Sequence, residues 1–154
     1  REVALDAVRD AASDLAERDA FVLFPEGGNF TPKRRERVIA SFERKGLVDD
    51  AAYARGLVNV LPPHPAGPIA ALDQSPNADV VFVAHTGTED LISPSVIWHG
   101  LPFGRRVVAN YWHVDRALVP TDDDERVAWL NGQWLAMDDW IGTHRITPVI
   151  EEAP

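Results

Sequence analysis

Cysteine is absent from all 154 residues, so no disulfide framework, thiolate nucleophile or cysteine-based zinc site is open to this chain. That absence fixes no compartment. Positive charge is scarce: 15 Lys and Arg stand against 24 Asp and Glu, a formal net charge of −9 at pH 7. Nucleic acid is therefore excluded as the main partner, because binding a phosphate backbone takes a concentrated basic surface. Simple electrostatic adhesion to anionic lipid is weakened on the same ground. No apolar run approaches the roughly 18 to 20 residues of a membrane span, and residues 1–19 are too acidic for a signal peptide. Any membrane attachment needs an anchor elsewhere or an apolar surface patch. Histidine is missing before His64, and no His-x3-His or HExxH spacing supports a metal site. Internal repeats, low-complexity segments and linkers are also lacking.

What remains is globular in composition, 45% hydrophobic and 25% charged, enough for one domain with a core. Leu5, Val8, Ala12 and Leu15 recur at helical spacing and predict an amphipathic helix over 2–18. Phe21 to Phe24 read as a buried strand that Pro25 ends. Thr31 before Pro32 is an N-cap with proline at the first helical position, opening a helix over 32–45. Val38, Ile39 and Phe42 form its inward side, and Gly46 stops it in a left-handed conformation. A short helical piece at 49–56 leads to a second apolar strand, Leu57 to Leu61, punctuated by Pro62-Pro63-His64-Pro65. After a short helix over 67–74, Ala78 to Ala84 is the strongest strand signal, a continuous apolar run suited to a sheet covered on both faces. Residues 91–103 are irregular, either capping the core or dipping into a bilayer interface, and 105–114 alternate as a strand. Asp122 with Glu125 starts a helix whose stripe is Val127, Leu130, Trp134, Met137 and Ile141, with the tryptophans as packed core.

Chemistry concentrates where the first strand breaks. Phe24-Pro25-Glu26-Gly27-Gly28-Asn29 places Glu26 just past a strand's carboxyl end, beside glycines that let a ligand approach the backbone. The helix beginning at Pro32 offers free N–H groups close by, so an anion fits there. Lys33, Arg34, Arg35 and Arg37 make the one cluster of positive charge in the chain. They either neutralise a bound phosphate or form a solvated helix face paired to Glu36 and Glu43.

Phe24-Pro25-Glu26-Gly27 resembles the FPEG block of glycerolipid acyltransferases, the family of the 1-acylglycerol-3-phosphate enzymes. Phe30-Thr31 with Lys33 and Arg34, Val60-Leu61-Pro62-Pro63, and Trp129-Leu130 to Trp134 extend the resemblance in family order. It implies an α/β fold, a mixed or mostly parallel sheet flanked by helices, with residues 1–144 as the carboxyl-terminal part of one domain and 145–154 as a tail. It also implies transfer of a fatty acyl group from acyl-CoA or acyl carrier protein to a lysophospholipid or related glycerolipid hydroxyl. The protein would work at the cytoplasmic face of a membrane, peripheral or anchored by a segment outside this chain. No cofactor or metal is implied, the thioester being a co-substrate. Glu26, Gly27, Gly28, Asn29, Lys33, Arg34 and Pro62 become the substrate-binding candidates.

Two departures accompany the resemblance. The family's Asn-His-x4-Asp block, whose histidine is general base on the acceptor hydroxyl, is not in this sequence. The expectation is that it lies before residue 1 and that the chain alone is inactive. Gly28-Asn29 also replaces the Thr-Arg found in many members, so a guanidinium at that position is missing; Asn29 can still donate hydrogen bonds, and Lys33 or Arg34 can reach in from the next helix. His85 and Asp90 show a His-x4-Asp spacing, but without the preceding asparagine and after FPEG, so a polar loop is the better interpretation. A hydrolase using His85 is kept as an alternative. So is a non-catalytic α/β module that binds an anionic lipid or a protein partner.

Overall fold

The computed structural model describes residues 2–87 and 106–145. Its elements run α1 (Glu2–Ser13), α2 (Pro32–Arg44), α3 (Val48–Gly56), α4 (Ala66–Gln74), β1 (Val80–Thr86), β2 (Val108–Val114), a 3-10 turn (Arg116–Leu118) and α5 (Asp123–His144). The described residues are predominantly helical, with a single two-stranded antiparallel sheet. The expected α/β fold, with a mixed or mostly parallel sheet, is thereby overturned.

Backbone donors explain the two missing strands. In the apolar run Leu57 to Leu61, the N–H groups of Val58, Asn59 and Val60 all donate to one oxygen of Asp138, at 3.0, 2.6 and 3.1 Å. A backbone whose donors converge on a side chain cannot also form a sheet ladder. Phe21 to Phe24 join no strand ladder among the described residues. Their alternation sends Phe21 and Leu23 toward the protein while Val22 and Phe24 stand 69% and 82% exposed.

The strand signals farther along hold, slightly displaced. β1 and β2 pair in the register Val80 with Val114 through Thr86 with Val108. Phe82, Ala84 and Thr86 are buried, whereas Val81 and Val83 on the opposite face are 52% and 62% exposed. β1 is thus covered on one face among the described residues, not on both as its apolar run predicts. Helix signals fare better. Thr31 Oγ1 accepts from the Arg34 N–H at 3.1 Å, and Asp122 accepts from the N–H groups of Asp124 and Glu125, so both expected N-caps form. Gly46 sits at φ +71° and Leu47 N–H reaches back to Phe42 O at 3.0 Å, closing α2 with a left-handed cap. α1 stops at Ser13, short of residue 18, because a turn closed by Asp19 on Ala16 takes over the backbone. The expected irregular stretch at 91–103, Asp90 and residues 146–154 of the tail lie outside the described residues.

α5 organises the core. Leu130, Trp134, Met137 and Ile141 project from it onto Leu57, Val60, Phe82 and Ala84. Each such side chain contributes about 1.5–3 kcal/mol when fully buried, so the four from α5 outweigh any local propensity in deciding where the helix lies. Phe82 meets both Trp129 and Trp134 edge to face, at 5.4 and 6.1 Å between ring centres. Polar ties hold the helix at both ends. Near its start, buried Arg126 pairs with Asp73 of α4 at 2.6 Å and donates to Pro120 O at 2.8 Å. Toward its end, Asn59 Nδ2 donates to Asp138 O at 2.9 Å while the Asp138 side chain, 6% exposed, gathers the three amides of 58–60.

Asp138→Ala is expected to destabilise the protein by on the order of 3 kcal/mol or more, since stranding a buried donor costs about 1–3 kcal/mol. Asp138→Asn, which keeps one acceptor oxygen, should lose markedly less. Denaturant titration of the three proteins checks this; equal stability of Asp138→Ala and wild type would contradict it.

Candidate functional site

Two prolines set the geometry of the site. Between Leu61 and His64 lie Pro62 and Pro63, both buried and both without an N–H. Leu61 and His64 are therefore the backbone donors this stretch has to offer, and both go to the Phe24–Gly27 turn. Leu61 N–H donates to Glu26 Oε2 at 2.9 Å, and His64 N–H donates to Pro25 O at 2.9 Å. The turn itself closes through Gly27 N–H to Phe24 O at 3.0 Å, with Gly27 at φ +65°. Pro62, a candidate lining residue from the sequence, spaces the two donors.

Arg34 covers the other side of the turn. From the first turn of α2 its Nη2 donates to Gly27 O at 2.9 Å. The guanidinium lies so close over Gly28 that a Cβ there would fall 1.9 Å from Nη1, so only glycine admits this arrangement. The His64 ring flanks the same turn, its Cδ2 3.6 Å from where a Cβ of Gly27 would stand. Two nitrogen-bearing side chains thus border the glycines from different elements. The proximity of His64 arises because its own N–H is spent on Pro25 O, a long-range contact invisible in local pattern.

The basic cluster divides its work. Arg35 is structural: its guanidinium donates to Leu57 O and, at 2.7 Å, to Arg55 O, tying α2 to the end of α3. Glu43 of α2 pairs with Arg55 of α3. Lys33, Arg37 and Asn29 are exposed, so of the expected binding residues Lys33 and Asn29 are not drawn into the turn. Glu26, Gly27, Gly28, Arg34 and Pro62 are brought together.

Glu26 is half-buried, and burial raises its pKa above the 4.5 of an ordinary glutamate. The Leu61 N–H, the Trp134 indole and the Arg34 charge oppose that rise, while the negative charge of Asp138 adds to it. Trp134 Nε1 is buried and makes no hydrogen bond of normal geometry, although it lies near enough to Glu26 to favour the ionised carboxylate. Alongside this turn runs a groove of about 2770 Å³ between residues 16–31 and the β1–α5 core. Phe21, Leu23, Phe82, Trp129, Trp134 and Met137 give it an apolar lining, and Glu26 and Asn29 reach its wall. Its volume far exceeds the roughly 300–1,000 Å³ of compact-ligand pockets, so an extended amphiphile suits it better than a small polar metabolite.

His85 stands on β1 on the face away from α5 and lines the same groove; Asp90 lies outside the described residues. His113 contacts Asp79 at 2.8 Å at the far end of the sheet. Among the described residues no group of three His, Cys, Asp or Glu could hold a metal ion. Comparison with family models, curated proteins and solved structures finds no match to this chain.

Glu26 yields a signed pH dependence. Because its folded pKa is raised, its contribution to stability is fully present below the ordinary carboxyl value and is lost as pH rises through the folded value. Glu26→Gln keeps an oxygen for Leu61 N–H and removes the ionisation. Its stability relative to wild type should therefore increase as pH rises from below 4.5 through the Glu26 transition, then level off. Glu26→Ala should be about 1–3 kcal/mol less stable than Glu26→Gln, the cost of an unpaired amide. A pH series of denaturation curves tests both; a stability of Glu26→Gln relative to wild type that falls as pH rises would contradict the assignment.

Proposed function

We propose that this chain supplies the acceptor-binding part of an acyltransferase, which moves a fatty acyl group from acyl-CoA or acyl carrier protein to a lysophospholipid or related glycerolipid hydroxyl. The observation that carries the proposal is the junction of a long apolar groove with a polar turn, where Glu26, the two glycines and Arg34 meet. Such a junction matches an amphiphile whose chain lies in the groove and whose headgroup meets the turn. Arg34 takes the part left open by the Gly28-Asn29 departure, since it reaches Gly27 O from α2 and presents a guanidinium at the turn. His64 adds a second nitrogen donor beside it.

In the reaction, the acceptor hydroxyl attacks the thioester carbonyl, a C–O bond forms, the C–S bond breaks, and the thiol leaves with the proton. The base is, by resemblance, the histidine of an Asn-His-x4-Asp block, which this sequence does not contain. Binding without turnover is accordingly expected of the chain by itself. No helix among the described residues is long and apolar enough to cross a membrane, so the proposed membrane contact is peripheral or comes from another segment.

Titrating 1-oleoyl-lysophosphatidate below its micelle concentration, with tryptophan fluorescence as the signal, should give saturable binding, since Trp129 and Trp134 line the groove. Arg34→Ala and Gly28→Ala should each weaken it by roughly tenfold, the loss of about one charge-assisted hydrogen bond. Absence of saturable binding would overturn the proposal. In the protein as its gene encodes it, acyl transfer from oleoyl-CoA should be lost in Glu26→Ala; binding with no turnover there would favour a non-catalytic lipid-binding module.

A further inference from the structure

One edge of the sheet is open onto the groove. β1 pairs with β2 along a single edge, and the sheet has no third strand among the described residues. In an antiparallel pair, the N–H and C=O of alternate residues point to the neighbour, and those of the residues between point away. Alternate residues of Val80–Ala84 therefore turn both groups to the other side, where no partner among the described residues meets them. That side is the groove: residues 78–85 line it without a gap, whereas no residue of β2 does. Across it stands the segment 20–24, which also joins no ladder. Trp129, Trp134, Met137 and Ile141 of α5 give the groove an apolar floor.

We propose that this edge receives one added strand: an extended segment of a partner protein, apolar at alternate positions, free of proline and flanked by basic residues. Backbone chemistry selects polypeptide, because an acyl chain has neither donors nor acceptors for the edge, whereas a paired strand supplies both in register. The added strand continues the β1–β2 interface across the sheet. Alternation follows from the two faces. Inward side chains meet the α5 floor, and outward ones lie beside Val81 and Val83, which are exposed. Charge complementarity selects the flanks. Glu17, Asp19, Glu36 and Asp79 are exposed carboxylates on the groove walls, while Arg35 is committed to the carbonyls of Leu57 and Arg55 and Arg145 is the other arginine of the lining. A second copy of this chain is a poor occupant, since its β1 edge lies between its own groove walls. The inference goes beyond the amphiphile reading and leaves room for it. A groove of about 2770 Å³ exceeds the roughly 1,000 Å³ upper range of ligand pockets, so strand and acyl chain can occupy different parts of it.

The test uses the full chain, isotope-labelled for NMR, and a capped peptide of alternating valine and threonine with lysines at both ends. Its titration should saturate and slow the amide exchange of alternate residues within Val80–Ala84 at least about tenfold, leaving the amides already held by β2 unchanged. Two analogues, N-methylated on every valine or on every threonine, keep the side chains and each lose the N–H groups of one edge. Whichever analogue is methylated on the edge facing β1 should bind at least about tenfold more weakly, since several backbone bonds are lost together. Glutamates in place of the lysines should weaken binding severalfold, and unchanged affinity would overturn the basic flanks. Equal binding by the parent and both analogues would mean contact through side chains alone and overturns the added strand. Failure of the parent peptide to bind, or to protect any β1 amide, overturns it as well. If 1-oleoyl-lysophosphatidate binds the same sample and the peptide does not, the groove is a lipid site only. A concentration-dependent dimer that protects the same amides without peptide would assign the edge to a second copy and overturn the partner strand.

Discussion

The Asp138 carboxylate, turned inward from α5 onto three consecutive backbone amides, is the interaction on which the rest of this structure depends. It fixes residues 58–60 as a bent stretch instead of a strand, and so directs Leu61 N–H outward to Glu26. The cost of keeping a carboxylate 6% exposed is offset because several donors converge on it, in the way that buried polar groups are generally tolerated. One side chain in the last helix thereby links the core, the proline stretch and the glycine turn.

From that anchor the site follows by elimination of donors. Two prolines leave Leu61 and His64 to hold the turn, and holding it places the Glu26 carboxylate against the Trp134 side of the core. Arg34 closes the opposite side and requires a residue without Cβ at position 28. The turn is therefore polar on one side, cationic on the other, and opens onto an apolar groove. That asymmetry is what the proposed amphiphile binding rests on.

Local features were legible in the sequence, and nonlocal ones were not. Thr31-Pro32, Asp122 and Gly46 act within a few residues of themselves, so their caps form where the pattern puts them. β1 and β2 carry enough apolar and β-branched character to be found within a few residues of their ends. The runs 21–24 and 57–61 have the same character but find no partner strands among the described residues, because strand pairing is a property of two segments and a short apolar run specifies only one. The resemblance implied a mixed or mostly parallel sheet, and the two-stranded antiparallel pair overturns that. In the candidate site, Glu26, Gly27 and Gly28 come from one motif and Arg34 and Pro62 from two others, and the fold brings the five together. Asp138 carried a signal that went unused: it falls four residues after Trp134 and three before Ile141, a carboxylate on the apolar stripe of its helix. Trp134 appeared only as core, since what the N–H of a buried ring faces is decided by tertiary packing.

The central claim is that the Glu26 turn is locked to α5 through residues 58–61 and moves as one unit with them. Native-state amide hydrogen exchange of the unmodified protein, followed across low denaturant concentrations, tests it most directly. The account predicts that the amides of Val58, Asn59 and Val60, held by Asp138, and of Leu61, held by Glu26, are protected and open together with a shared free energy and denaturant dependence. Rapid exchange of Leu61 while 58–60 stay protected would show the turn to be independent of the core and would contradict the account.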